Sequence, residues 1–275
     1  MPTGLVRPAR PVTLVRRRAR APYGIFLPAL VGAAFLVLPL VGLLVRAPWR
    51  SLPSLIGGPH VRTALRLSVE TASAATLLAI VLGVPIAWVL ARLHIRGRGI
   101  LRALITLPLV LPPVAGGIAL LLAYGRRGVV GEWLLKAFGV SLPFTTAGVI
   151  VAEAFVAMPF LIIAVEGSLH GLDSRYDQVA ATMGASRWFT FRHVTLPMLA
   201  PGIAAGAVLC WARALGEFGA TITFAGSYPG TTQTMPLQVY LALQDDPNAA
   251  IALSLVLLVF SVVILAGLRD RWLRT

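Results

Sequence analysis

The chain has 275 residues, 57% of them hydrophobic and 12% charged, with a mean hydropathy of +0.84 and a formal net charge of +14. Soluble domains carry about 25% charged residues, so the composition excludes an ordinary water-soluble fold and points to an integral membrane protein. The positive charge raises nucleic-acid binding, but the arginines flank apolar runs and no basic module interleaved with aromatics follows, which excludes it.

Residues 1–22 are rich in Pro and Arg and read as a disordered basic arm, attracted to anionic headgroups. Six apolar runs follow, near residues 23–45, 63–91, 100–124, 147–167, 199–224 and 248–268. Each has the roughly 20 residues needed to cross bilayer hydrocarbon. Backbone groups find no water there, so the runs are expected as helices. The alternating ten-residue pattern of a barrel is absent. The first run is too long for a cleavable signal peptide, lacks a small-residue cleavage site, and should remain as a span. The second is longer than a crossing requires, which places its first turns, with Arg62, Arg66 and Glu70, at or above the interface.

Several runs are interrupted. The second holds Gly83 and Pro85, the fourth Pro159, and the third contains LPLVLPPVAGG at 107–117. A single proline reads as a kink in packing. Two prolines followed by two glycines, Pro112, Pro113, Gly116 and Gly117, read as a candidate hinge or a wall of a translocation path, where neighbours or a water-filled cavity satisfy the freed backbone.

Between the fourth and fifth runs, about 168–198, lies a polar connection. Ser174 is placed to cap a short helix, with Asp177 as capping partner. Tyr176, Val179, Ala180 and Met183 then share one face of it. Gly184 stands where a helix end takes a left-handed residue. After Ala185, Ser186 opens a second amphipathic helix, which Leu196 and Pro197 are expected to close. Such a hairpin needs a partner for its apolar face.

The fifth run carries charge. Arg213 and Glu217 are one turn apart, and Thr221 continues the same face and can donate a hydroxyl. Intramembrane charges face a protein interior or a water path. Two readings stand together: a salt bridge that fixes packing, or a contact or gate in an anion path. Glu153 and Glu166 are placed near the ends of the fourth run, where they would meet water or an arginine. Cys210, the single cysteine, reads as a small core residue.

Sixteen basic residues fall on the side of the arm, the second and fourth connections and the tail, against seven on the other. The bias places both termini and the polar loop in the cytoplasm of a plasma-membrane protein. No G-x-x-x-x-G-K-[ST] segment exists, and Gly-Arg-Arg-Gly at 125–128 lacks the lysine, so the chain is not expected to bind ATP itself. The four histidines are scattered, leaving no metal site and no catalytic residue. With no catalytic residue assigned, the chain does not read as an enzyme.

The polar loop resembles the loop of bacterial ABC importer permeases, which has the pattern Glu-Ala-Ala, three residues, Gly, nine residues, Ile, any residue, Leu-Pro. Here Gly184 is followed after nine residues by Val194, Thr195, Leu196 and Pro197 without a gap. Gln178 replaces the acid, and Val179 and Ala180 stand at the alanines. ALGEFGATITFAG at 214–226, PGTTQTMPLQVYLALQ at 229–244 and PFTTAGVIVAEAFVAMPF at 143–160 are similar to the molybdate branch of the oxyanion permeases. Sulfate permeases share the GEFGA core.

The resemblance implies an all-α type I importer fold, a single permease domain over 23–275 with about six transmembrane helices and a cytoplasmic helical hairpin. It also implies a second copy of the chain, two cytoplasmic subunits that bind ATP and Mg, and an extracytoplasmic oxyanion-binding protein. The expected cargo is molybdate or tungstate. The alternatives are a sulfate or thiosulfate permease, and an ATP-independent secondary transporter, which would not need the loop. A membrane-embedded enzyme would need more convergent polar groups than Arg213 and Glu217.

Overall fold

The structure, a computed structural model, describes residues 23–93, 96–173 and 175–272. The basic arm and Ser174 lie outside the described residues. All regular structure among those residues is helical.

One unit ends at Val45. After a 3-10 turn at Tyr23–Ile25 it consists of α1, Phe26–Val45, which has no charged side chain. Its 20 residues give about 30 Å of helix, the thickness of bilayer hydrocarbon.

The second unit, Arg46–Thr275, begins with the short α2, Leu52–Ile56, and then α3, Pro59–Arg92. At 34 residues, α3 is about 51 Å long and must project beyond the hydrocarbon. Arg66 and Glu70 pair at 2.6 Å in its early turns, both well exposed. Its buried stripe is built of small residues, among them Ala72, Ala75, Ala79, Gly83 and Ala87. Without side-chain bulk the backbones approach closely, the usual basis of helix association in lipid. Against this stripe pack α7, Thr146–Gly171, and α10, Leu196–Leu215. Leu161, Val165, Leu199 and Cys210 close the same core.

The third apolar run is two helices rather than one. α4, Arg98–Val110, and α5, Pro113–Tyr124, are bent by 119° across Leu111 and Pro112. Each of those two residues precedes a proline, whose ring disfavours the helical region for its predecessor. Both are extended, with ψ of 132° and 133°. Glu166 on α7 holds α4 in place, with Arg98 at 3.4 Å and Arg102 at 3.1 Å. α5 lies on α11, Gly219–Phe224. At that crossing a Cβ on Gly117 would sit 2.6 Å from Thr223 Cβ and 2.9 Å from the Ala220 carbonyl oxygen. α6, Gly131–Phe138, lies between α5 and α7 in sequence.

The fifth run also departs from expectation. It starts earlier, because α9, Arg187–Thr190, passes through a π turn, Phe191–Thr195, into α10, giving one helix over Arg187–Leu215. Leu196 and Pro197 therefore do not close the loop's second helix. In the π turn the Leu196 N–H bonds to the Phe191 carbonyl, five residues back. The wider turn leaves room for a proline ring that would strike the i−4 carbonyl of a regular helix. The run then breaks at Gly216, before Phe224 is reached. The chain continues through α11, a non-helical stretch at 226–234, α12 (Met235–Asp245) and α13 (Pro247–Trp272). Among the described residues five helices are long and apolar enough to cross a membrane, and the α4–α5 pair makes a sixth crossing when counted as one broken span.

Candidate functional site

Two regions collect the residues singled out from the sequence. The first is the hairpin of α8, Arg175–Thr182, and α9. The N-terminal cap assigned to Ser174 lies outside the described residues, as does the side chain of Asp177. Asp173, which sequence reasoning missed, accepts a hydrogen bond at Oδ1 from the Arg175 N–H at 2.9 Å. The two-residue spacing is that of an Asx turn, a signal legible in principle.

At the other end of α8 the Gly184 N–H bonds to the Ala181 carbonyl and the Ala185 N–H to the Ala180 carbonyl, each at 3.0 Å. This is the Schellman pattern, and Gly184 takes φ +81°. Ser186 then accepts the Phe189 N–H on its hydroxyl at 3.2 Å and opens α9. The chain reverses here because each helix end satisfies its own orphan groups.

The reversal leaves an apolar face uncovered. Tyr176, Val179 and Met183 are 53%, 57% and 82% exposed. With Ala180, Asp173, Arg175 and Val194 they line a depression of about 540 Å3. Gln178 is on a different side of α8, turned toward the end of α3. Exposed apolar groups gathered on a polar loop mark a contact surface, and methionine suits one that must adapt.

The second region lies inside the helix bundle. Arg213 Nη2 meets Glu217 Oε2 at 2.6 Å, with the Glu217 side chain 1% exposed. Because α10 ends before Gly216, Glu217 and Thr221 do not continue its face. Instead Glu217 Oε1 accepts the Ala220 N–H at 2.8 Å and caps the first turn of α11. Thr221 is fully buried there, its hydroxyl without a partner among the described residues.

Glu153 corrects another expectation. It lies well inside α7, is 1% exposed, has no arginine partner among the described residues, and accepts the Thr71 hydroxyl at 2.9 Å on Oε1. Its Oε2 has no partner among the described residues. One turn before Thr71, Ser68 Oγ accepts the Met235 N–H at 2.7 Å, so α3 also fixes the start of α12. Glu166 does meet arginines, as the sequence allowed. Of the glycines and prolines at the α4–α5 break, Pro112 and Pro113 form the bend, while Gly116 and Gly117 are buried in α5 against Phe155 and α11.

Residues 79–275 match the family described as "Binding-protein-dependent transport system inner membrane component". The chain is 50% identical over 250 residues to the molybdenum transport system permease protein ModB of Mycobacterium tuberculosis, covering 91% of this chain and 94% of the relative. It is 40% identical over 210 residues to the ModB protein of Escherichia coli, covering 76% and 92%. The sulfate transport system permease protein CysT of Escherichia coli is 37% identical over 234 residues, with 84% of each chain covered. In fold, the chain is similar to a chain of a bacterial ABC transporter involved in alginate import, with a TM-score of 0.74 at 18% identity over 92% of this chain and 94% of that one. Matched over most of its length in sequence and fold, the chain belongs to the family of inner-membrane permease components of binding-protein-dependent ABC transport systems.

Proposed function

We propose that this permease imports molybdate, with tungstate as a chemically equivalent cargo, into the cytoplasm. Two copies form the pore, two cytoplasmic ATPases bind ATP and Mg and drive it, and an extracytoplasmic protein delivers the oxyanion. The cargo assignment is supported by the 50% identity to a molybdenum permease across nearly the whole chain. Sulfate is the second reading, favoured by the 37% identity to a sulfate permease.

The observation that carries the coupling role is the uncovered face of Tyr176, Val179 and Met183 on a hairpin whose two ends are internally capped. A rigid knob with an apolar face transmits a push. Each ATPase receives one hairpin, and ATP-driven closure draws the two hairpins together and turns the cavity outward. The basic arm and the arginine-rich connections hold both termini and the hairpin in the cytoplasm.

Inside the bundle, Arg213 lowers the cost of passing a dianion through low dielectric, Glu217 moderates that attraction so that the ion leaves, and Thr221 offers a hydroxyl. The break formed by Pro112 and Pro113, with Gly116 and Gly117 behind it, is the hinge on which α4 and α5 move.

The test is uptake by the complete complex, reconstituted in vesicles with its ATPase and binding protein. ATP-dependent accumulation of molybdate and tungstate well above sulfate is expected. Sulfate uptake equal to or faster than molybdate uptake would overturn the cargo assignment.

A further inference from the structure

The last two turns of α3 and the inner side of the hairpin enclose a second groove, of about 710 Å3. Pro85, Trp88 and Val89 line it from α3, and Trp188 and Phe191 from α9 and the π turn. The aromatic rings are organised: Phe191 meets Trp88 edge-on at 6.0 Å and stacks with Trp188 at 5.8 Å. This face is distinct from that of Tyr176, Val179 and Met183, so a partner docked on the latter does not by itself fill the groove.

Three observations say what does. The first is depth. Trp88 lies one turn before the end of a membrane-spanning helix, and Trp188 and Phe191 lie at the start of another. That is the headgroup level, where tryptophans concentrate. The second is charge. Arg187 lines the groove, exposed, with no ion-pair partner among the described residues, and no carboxylate lines the groove with it. The third is the character of the rival occupant. A second copy of this chain brings a net charge of +14, the wrong sign for an unpaired guanidinium. An apolar groove with a single cation at its rim complements an amphiphile with an anionic head.

We propose that the groove seats one anionic phospholipid of the leaflet on the hairpin's side, its acyl chain against Pro85, Trp88 and Val89 and its phosphate on Arg187. The lipid ties the hairpin to the end of α3, so headgroup composition bears on how firmly the hairpin is held. The inference needs only that the chain spans a membrane and does not depend on the cargo.

The experiment uses the complete permease–ATPase complex in bilayers of equal phosphatidylglycerol and phosphatidylcholine, with brominated acyl chains on one lipid at a time. The Trp188 signal is the difference between the parent and Trp188→Phe. It should be quenched by the brominated phosphatidylglycerol with about fivefold preference, the effect of one basic side chain at a charged surface. Arg187→Gln should abolish the preference, so that quenching by brominated phosphatidylcholine rises to equal that by brominated phosphatidylglycerol, and Arg187→Lys should keep the preference. Equal quenching by both lipids, or a preference that survives Arg187→Gln, would overturn the proposal in favour of unselective lipid contact. Absence of quenching by either would overturn it in favour of a protein covering the groove.

Discussion

Replacing Arg213 by Ala separates a structural pair from a transport residue, because the geometry sets the energies apart. Glu217 is 1% exposed and has two partners, the guanidinium at 2.6 Å and the Ala220 N–H at 2.8 Å. Arg213→Ala leaves a buried carboxylate with one hydrogen bond and no counter-charge, a loss of about 3–5 kcal/mol in stability. Adding Glu217→Gln removes the stranded charge and keeps an oxygen for the Ala220 N–H, so stability should return to within about 1 kcal/mol of the parent. Arg213→Ala with Glu217→Ala also loses the cap, and should fall below the Gln version by about 1 kcal/mol. Unfolding of the purified permease by titrated SDS reads all three. Arg213→Ala within about 1 kcal/mol of the parent, or a double variant no better than the single, would refute the reasoning. Uptake by the Arg213→Ala, Glu217→Gln protein then tests the path: assembly restored with molybdate uptake still low is expected, and restored uptake removes Arg213 from the path.

At Gly184 an added Cβ meets nothing within 4 Å, so only the left-handed backbone opposes substitution, by about 1–2 kcal/mol. Recovery of the ATPase with the permease should fall in the order Asn, Ala, Val, by up to about tenfold, and unchanged recovery with Val would remove the hairpin from docking. Gly117→Ala should cost about 1–3 kcal/mol by overpacking against Thr223 and Ala220. Gly116→Ala, which meets only Phe155 at 3.3 Å, should cost less in the same SDS titration. Cysteines at positions 18 and 186 should resist a membrane-impermeant thiol reagent in intact cells while one at 130 reacts, and equal labelling of 18 and 130 would overturn the orientation.

Local chemistry made the hairpin legible and tertiary chemistry hid the rest. Gly184 and Ser186 announce a helix end and a helix start because each satisfies backbone groups of its own neighbours, three to five residues away. The spans were legible for the same reason, since lipid forces every backbone bond inside its own segment. Pro112 and Pro113 marked the break but not its 119°, because a proline pair sets two ψ angles while α11 and Glu166 decide where α5 and α4 lie. The passage of α9 into α10 was missed because Pro197 reads as a stop, and a single π turn suffices to carry the helix past it. The partner of Glu153 is 82 residues away, at Thr71; no spacing rule connects them.

The segments that most resemble oxyanion permeases are also those where the backbone leaves the helix. From Gly216 to Phe218 and again over 226–234 the chain has no helical ladder, and in a membrane such backbone must be satisfied inside the protein. The polar side chains there do that work. Glu217 takes the Ala220 N–H, and the Thr232 hydroxyl takes the Tyr228 N–H at 2.9 Å. Thr146 donates its hydroxyl to the Thr231 carbonyl at 2.9 Å, and Ser68 receives the Met235 N–H. The Tyr228 carbonyl accepts from Thr231, Thr232 and Gln233 in turn. A sequence preference for polar residues at these positions is therefore accounted for by backbone capping before any anion is invoked. What capping does not account for is Arg213, paired with the Glu217 side chain, and the hydroxyls of Thr221, Ser227 and Thr234, which have no partner among the described residues. Those side chains, rather than the polar segment as a whole, are where a dianion would find donors not spent on capping the backbone.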